Sequence, residues 1–451
     1  MLRLVVGELV GAVRVWLGVA VVAAGAAVAL AVAVALITGA GDVGGVRALA
    51  LYGISGTVIS FTAVAGVVVL SSVGELTVAL QRRSHALWLL VGVRPGAVEA
   101  VVLGQLLVVA VVGAVVGCLV AAPAVRAVGD RVFTDSPDLA AVHLHLSVGG
   151  AAWVVLAVAG LVLFSGLRPA RRAGRASGVE LLRDPSPPEL RMGPTRWVTG
   201  AAAALAVASV VAGLRGREAG AVESPLSLVA PLLAAAAVAF GPLFVPRLTW
   251  AWTSWLPTRG SVAWWLARNA VHVALSRSTA AVNPLVVAMA LTGGFWSAHG
   301  AATSAVGTDG SPSASESLPA SGVLLLLGGP LLVAVLGSAA TVAMSGRARE
   351  REQALIRAAG GTGGVVIRAA VGESLALVGT ACLLAGAAVA VTALAGAWAL
   401  GTSALAGALA AGLPALLVTA AAALGLVLLA TVVPTALALR RPPVLALAVS
   451  D

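Results

Sequence analysis

Long apolar runs separated by short polar segments make up most of the chain. Residues 15–37 and 415–437, for example, are almost entirely apolar, and each run is longer than the roughly 20 residues that a helix needs to cross a bilayer. A spanning segment must satisfy its own backbone hydrogen bonds, so each run is predicted to be a helix. The pattern predicts ten membrane-spanning helices, at about residues 15–38, 49–72, 97–124, 148–167, 197–214, 225–246, 276–297, 321–345, 365–396 and 412–435.

The composition supports the same fold class. Of the 451 residues, 60% are hydrophobic and only 10% are charged, whereas about a quarter of the residues in a soluble domain are charged. The first run is too long for a signal peptide, lacks an A-x-A-like cleavage site and follows Glu8 and Arg14, so it is expected to be the first span. We therefore expect an all-α polytopic membrane protein.

The arginines predict how the spans are oriented. The chain contains no lysine, and with an inside N-terminus only five arginines fall in outer loops: Arg47, Arg126, Arg131, Arg215 and Arg217. This inner excess of arginine follows the positive-inside rule and predicts that both termini are cytoplasmic. Anionic headgroups explain arginines beside spans, so membrane lipid is an expected partner and nucleic acid is not. The Arg-only, Ala/Val/Gly-rich usage is typical of GC-rich coding and suggests a bacterial cell membrane.

Two polar patches repeat each other 268 positions apart. Residues 81–96 read QRRSHALWLLVGVRPG and residues 349–364 read REREQALIRAAGGTGG. Matched positions include Arg83 and Arg351, Ala86-Leu87 and Ala354-Leu355, Gly92 and Gly360, Gly96 and Gly364, and Gln105 and Glu373. The chain is thus predicted to contain a four-span unit twice, at 1–184 and 258–451, joined by a two-span region at 185–257. Because two spans intervene, the copies are parallel, which argues against carriers built from inverted repeats.

Each patch is predicted to form a short amphipathic helix that ends at glycines and lies flat at the cytoplasmic face. Leu87, Leu90 and Val91 would share one face, with the arginines on the other. One interpretation is a simple interfacial anchor. The alternative is a protein-docking element, and the mixed charges of REREQ favour it because an anionic membrane would select uniform positive charge.

These patches resemble the FtsX-like permease domain of ABC transporters. The second copy matches the family pattern through Glu352, Ala354-Leu355, Arg357, Gly360 and Glu373. The first copy has Ser84 and Leu89 where the family has Glu and Arg, but its tail after the fourth span, PARRAGRASGVELL, is the closer of the two.

The resemblance implies that the patches are coupling helices that bind a cytoplasmic ABC ATPase, with two ATPase copies per permease chain. The implied ATPase-coupling residues are Arg82, Arg83, Ala86, Leu87, Arg351, Glu352, Ala354, Leu355 and Arg357. A chain without lysine has no G-x-x-x-x-G-K-[ST] loop, so the chain itself is expected to hold no cofactor, with ATP and Mg²⁺ bound by the partner. Short outer loops imply no receptor domain, and the expected cargo is an amphiphile. A mechanotransmission device that moves no cargo and an ion-coupled carrier remain alternatives.

Gln105 and Glu373 are the polar residues predicted within spans, where an ionisable group is costly. Glu373 is interpreted either as paired, with Arg368 or with a neighbouring helix, or as having a proton or substrate role. No catalytic constellation is found. Cys118 and Cys382 are interpreted as buried hydrophobes, and no metal site is expected at His143 and His145. The tryptophans of residues 250–278 predict an aromatic belt helix at the inner interface.

Overall fold

The computed structural model describes residues 13–43, 45–134, 144–174, 192–257, 260–273, 275–307, 320–344 and 346–440. Within these ranges the chain is helical, with no strand. The fifteen helices are α1 Val13–Val43, α2 Gly45–Leu80, α3 Arg82–Leu90, α4 Pro95–Thr134, α5 Val148–Gly174, α6 Pro194–Ala212, α7 Ala219–Ser227, α8 Val229–Ala239, α9 Gly241–Ser254, α10 Val262–Val273, α11 Leu275–Gly307, α12 Ala320–Met344, α13 Gly346–Ala358, α14 Gly363–Leu400 and α15 Thr402–Leu439.

Ten segments of the described chain are long and apolar enough to span a membrane, as the sequence predicted. They are α1, α2, α4, α5, α6, the α7–α8 pair, α11, α12, α14 and α15. The fold is therefore that of an all-α multi-pass membrane protein.

Several predicted boundaries differ from the structure, and two of them change how the chain is divided. The sixth span was expected to continue to residue 246, but α8 ends at Ala239 and a separate helix starts at Gly241. Pro242 explains the break, because it has no amide hydrogen to donate to the preceding turn. The seventh span was expected to end near residue 297, but α11 continues to Gly307, so part of the predicted outer loop 298–320 is helical.

The two predicted four-span units meet along α1, α2, α11 and α12. Small residues let the helices approach closely, as is usual between membrane helices. A Cβ placed on Gly329 of α12 would lie 2.7 Å from the Cβ of Ala29 on α1. Across the same interface, the side-chain amide of Asn283 on α11 donates a hydrogen bond to Ser72 Oγ on α2, at 2.8 Å.

The repeats differ in their internal packing. In the first, Gly117 of α4 lies against the backbone of α1 at Ala24. In the second, the closest backbone contact is between α11 and α15, where Gly300 faces Gly407. Residues 278–295 of α11 are all buried by protein.

Helix α9 of the predicted linker region and helix α10, which follows it, pack along α14. Trp252 Nε1 donates a hydrogen bond to Thr380 Oγ1 at 3.0 Å, and its ring covers Gly379. About two turns nearer the start of α14, Trp264 lies over Gly372. These glycines leave room on the α14 surface for the indole rings, so two of the tryptophans predicted to form a belt contact protein.

Candidate functional site

The two predicted amphipathic helices are present as α3 and α13, here called the connecting helices. The first joins α2 to α4 and the second joins α12 to α14. Both lie at the same end of the bundle, where Gly174 at the end of α5 contacts Pro95 and Gly363 contacts Leu439 at the end of α15. We call this end the connecting-helix side. The orientation predicted from the arginines makes it cytoplasmic.

The connecting helices end in the same backbone motif. Gly92 and Gly360 have φ values of 94° and 90°, a left-handed conformation in which glycine has no side-chain penalty. Val93 N donates to Trp88 O at 3.0 Å, and its counterpart Gly361 N donates to Ile356 O at 2.9 Å.

Four further backbone hydrogen bonds recur with the same spacing of 268 positions. Two complete the helix ends, and two start α4 and α14. The pairs are Val91–Leu87 with Ala359–Leu355, Gly92–Leu89 with Gly360–Arg357, Ala97–Arg94 with Val365–Thr362, and Val98–Arg94 with Val366–Thr362. The repeat inferred from sequence is thus also a repeat of backbone geometry around the connecting helices.

Side-chain burial matches between the copies at the predicted Ala-Leu pairs. Ala86 and Ala354 are buried against the bundle, whereas Leu87 is 49% exposed and Leu355 is 55% exposed. The apolar face of α3 continues through Leu90 and points away from the bundle. An alanine permits close approach to the spans, and the leucine next to it faces outward.

Several polar side chains of the connecting-helix segments face the bundle, not away from it. Arg349 and Gln353 on α13, and Gln81 and His85 at the matching positions of the first copy, face the bundle. The mixed charges of REREQ were interpreted from the sequence as a surface for a docking partner. Here the spans supply polar partners.

Two polar contacts attach α13 to the spans. Arg349 Nη2 lies 2.8 Å from Glu373 Oε1 on α14, and both residues are 8% exposed. Gln353 Nε2 donates a hydrogen bond to Thr435 Oγ1 on α15 at 2.8 Å. The pairing of Glu373 with a neighbouring helix was one of the two sequence interpretations. Its partner is not Arg368, whose Nε donates to Gly364 O.

The first copy has neutral residues at the positions of this ion pair. Gln81 matches Arg349 and Gln105 matches Glu373, and both glutamines are buried. His85, also buried, matches Gln353. The two connecting helices therefore share a backbone but differ in the chemistry of their inner contacts.

Other predicted site residues occupy varied positions. Glu352 is exposed on α13 and Arg357 is half-buried. Arg82, Arg83 and Arg351 lie on the described backbone of the connecting helices, but their side chains lie outside the described residues. Sequence reasoning missed Arg349 and Gln353, although the spacing of 268 residues that matched Gln105 to Glu373 also matches Gln81 to Arg349.

Two cavities adjoin the second repeat. One, of about 330 Å³, lies between α10, α13 and α14 and includes Arg349, Glu352 and Glu373 in its wall. The other, of about 530 Å³, lies between α11, α12 and α15 at the opposite end of the bundle. Its wall is mainly apolar but includes Trp296 and the hydrogen-bonded hydroxyls of Thr292 and Thr419.

Cys118 and Cys382 are free and separate. Within the described ranges, no group of three or more His, Cys, Asp or Glu side chains is placed to hold a metal ion. His143 lies outside the described residues. On α10, burial and the nearby Arg268 lower the pKa of His272, so this ring is neutral at neutral pH.

Comparison with known proteins identifies part of this architecture. The FtsX-like permease C-terminal family model matches residues 56–177, which include most of α2 and all of α3, α4 and α5. Searches of curated proteins and of solved structures return no match. FtsX-like permease domains belong to ABC-type transport subunits, which are generally not catalytic themselves. Residues 56–177 are therefore similar to the FtsX-like permease domain, consistent with the resemblance inferred from the sequence, although the match falls on the first copy and not on the second.

Proposed function

We propose that this chain is the permease subunit of an ABC transporter, with α3 and α13 as coupling helices, each docked to one copy of a cytoplasmic ATPase. The observation that carries the proposal is the set of five backbone hydrogen bonds that recur at the ends of α3 and α13 and the starts of α4 and α14. Two sequence-divergent helices with one backbone geometry, on one side of the bundle, suit two identical partners.

The outward faces of the connecting helices support docking. Leu87, Leu90 and Val91 on the first copy and Leu355 on the second are large apolar side chains with about half or more of their surface exposed. A partner that covers them gains free energy from apolar burial. Glu352, exposed beside them, adds a charged contact at the edge of such an interface.

Motion of the partner would reach the spans through the inner contacts. A displacement of α13 pulls on α14 through Arg349–Glu373 and on α15 through Gln353–Thr435. ATP binding and hydrolysis shift the equilibrium of the bundle only if the ATPase holds the coupling helices differently in its two states. The two repeats would then move against each other along α1, α2, α11 and α12.

The cargo that fits best is an amphiphile, such as a lipid, a peptide or a drug-like molecule, that is exported or extracted from the membrane. The cavity of about 530 Å³ between α11, α12 and α15 supports this class, because its size and largely apolar wall are typical of small-molecule sites. The Thr292–Thr419 hydroxyl pair supplies a polar contact within it. Glu373 is engaged by Arg349, which leaves less support for an ion-coupled carrier.

Co-purification with the cytoplasmic ATPase that the proposal requires tests the coupling helices. We expect Leu87→Asp combined with Leu355→Asp to abolish the complex, because each substitution places a charge on the docking face. Val262→Asp on α10 is the matched control, since Val262 is also apolar and 68% exposed but lies on neither connecting helix. Equal loss of the complex in the control, or a retained complex in the double variant, contradicts the proposal.

Transport assays separate this function from mechanotransmission. Proteoliposomes that contain both subunits are supplied with ATP and a fluorescent lipid analogue, and movement of the analogue between leaflets is measured. Transport lost in the Leu87→Asp/Leu355→Asp variant supports an ABC transporter. ATP hydrolysis without movement of any amphiphile favours a device that signals to an outer partner, and movement that follows a proton gradient without ATP favours the carrier.

A further inference from the structure

A cluster of arginines surrounds one carboxylate where α2, α5 and α6 meet on the connecting-helix side. Arg196 Nη2, near the start of α6, lies 3.0 Å from Glu75 Oε2 and 3.4 Å from Glu75 Oε1. Arg172 Nη1, near the end of α5, lies 3.7 Å from Glu75 Oε1. Two arginines thus already satisfy the only carboxylate in direct contact with them among the described residues.

A third arginine lies beside this pair, and no carboxylate of the described residues is in direct contact with it. Arg168 precedes Arg172 by one helical turn on α5, donates a hydrogen bond to Thr199 Oγ1 at 3.0 Å and interacts electrostatically with Arg196, Arg172 and Glu75. Three guanidinium groups and one carboxylate leave an excess of two positive charges in the described cluster. Charges this close repel one another, so an added anion would stabilise the cluster.

The cluster is partly prepared for such an anion. Only 7% of the Arg196 side chain is exposed, and its Nε makes no hydrogen bond with the described protein. Arg196 also lies in the first turn of α6, where the helix dipole favours negative charge. Arg172, in contrast, has 54% of its side chain exposed, which leaves the cluster open at one side.

Phosphate is the anion that best matches these donors. Guanidinium groups bind phosphate oxygens through two parallel hydrogen bonds, and a group of arginines is more selective for phosphate than isolated charges are. The cluster lies near the ends of the spans α2 and α5 and the start of α6, where lipid headgroups are expected. Beside Arg196, Trp197 and Val198 are largely exposed on α6 and suit contact with acyl chains.

We propose that Arg168, Arg172 and Arg196 bind the phosphate of one anionic phospholipid in the cytoplasmic leaflet. The lipid would hold the linker helix α6 against α2 and α5 of the first repeat, because the three arginines belong to the two sides of that junction. This binding is separate from ATPase docking and from cargo movement.

Native mass spectrometry of the whole protein, released from nanodiscs, tests the proposal. The nanodiscs contain phosphatidylcholine with increasing phosphatidylglycerol, and the retained phosphatidylglycerol is counted. We expect Arg172→Gln and Arg168→Gln each to weaken retention about fivefold, which corresponds to about 1 kcal/mol for each arginine near an anionic membrane. The Arg172 variant changes an exposed side chain and avoids the buried Arg196.

Arg171→Gln is the matched control. Arg171 has the same 54% exposure as Arg172 and is its neighbour on α5, but it lies 3.5 Å from Glu99 rather than beside Glu75. Both variants remove one positive charge from the same surface. Retention reduced equally in the Arg171 and Arg172 variants indicates general attraction to the membrane and overturns the site.

Two further measurements identify the source of the anion. Addition of inorganic phosphate at millimolar concentration is expected to leave phosphatidylglycerol retention unchanged; displacement of the lipid by free phosphate refutes a lipid site. The segment 175–191, outside the described residues, carries Glu180, Asp184 and Glu189. Their replacement by amides is expected to change retention less than twofold, whereas a large increase identifies these carboxylates as the occupants and overturns the proposal.

Discussion

Substitution of the buried Arg349–Glu373 pair tests whether α13 is attached to α14 by charge. The informative variants are Arg349→Gln, Glu373→Gln and the two combined. The combined variant has the same side chains as the first repeat, where the uncharged residues Gln81 and Gln105 occupy the matching positions. The surrounding backbone accepts that pair of side chains in one copy already.

The strength of the attraction follows from the distance between Arg349 Nη2 and Glu373 Oε1. At 2.8 Å, Coulomb's law with an effective dielectric constant of about 20 gives an attraction of about 6 kcal/mol. Desolvation of two ions offsets most of it, so the intact pair contributes little net stability. Removal of one partner is different, because it leaves a buried charge without its counter-ion. We expect each single variant to lose about 3–5 kcal/mol and the double variant to remain within about 1 kcal/mol of the parent.

Thermal unfolding of the four proteins in one detergent, followed by tryptophan fluorescence at one heating rate, measures this cycle. A fixed heating rate is needed because membrane-protein unfolding is often irreversible and its midpoint is then kinetic. We expect each single variant to have a lower midpoint temperature of unfolding than the parent, and the double variant to have a midpoint close to that of the parent. If the double variant unfolds at the sum of the two single shifts, Arg349 and Glu373 act independently and the attachment by charge is refuted.

Three further predictions concern backbone and packing. Gly360→Ala is expected to lower the free energy of unfolding by about 1–2 kcal/mol because of its left-handed φ alone, since no atom lies within 4 Å of the added methyl group. Circular dichroism melts measure this loss. Gly363→Ala is the control, because its methyl group is accommodated at ordinary contact distance. Asn283→Leu removes the hydrogen bond between the repeats and is expected to lower the free energy of unfolding by about 0.6 kcal/mol in the same melts. An unchanged melt contradicts a stabilising role for this hydrogen bond. Gly300→Leu collides with the α15 backbone and is expected to abolish monodisperse protein in size-exclusion chromatography, whereas Gly160→Leu, which faces open space, is expected to be tolerated.

Sequence reasoning predicted the spans and the connecting helices because both leave strong local signals. Ten apolar runs of sufficient length predict ten spans, and glycine at 92 and 360 predicts where the short helices end. The partner of Glu373 was left open between Arg368 and another helix, because several arginines lie within reach along the chain. Only the packing of α13 on α14 selects Arg349.

The direction in which the connecting helices face was not predictable from their pattern. An amphipathic helix at a membrane surface has three possible neighbours: lipid, water and the bundle itself. The pattern separates polar from apolar sides but does not assign the neighbours. Buried glutamines and threonines on the spans, such as Gln105 and Thr435, reverse the usual assignment, because they let polar side chains of α3 and α13 face inward.

The outward apolar face also predicts how the proposed ATPase complex responds to salt. Leu87 and Leu355 are each about half exposed, so their burial by a partner contributes about 1 kcal/mol per side chain. Replacement of both by Ala is expected to weaken association about fivefold at each connecting helix, and about 30-fold for the binding of both ATPase copies together, with little dependence on salt.

Exposed charge pairs contribute at most about 1 kcal/mol. We therefore expect Glu352→Gln with Arg357→Gln to weaken the complex about fivefold or less, and only at low ionic strength. Titration of the ATPase by biolayer interferometry at about 0.05 M and 0.5 M salt compares the two variants, since these concentrations lie on either side of the range in which exposed charges become screened. The opposite result is that the Glu352→Gln/Arg357→Gln variant loses more affinity than the leucine variant at both salt concentrations. It would mean that the mixed charges of α13, rather than its apolar face, bind the partner.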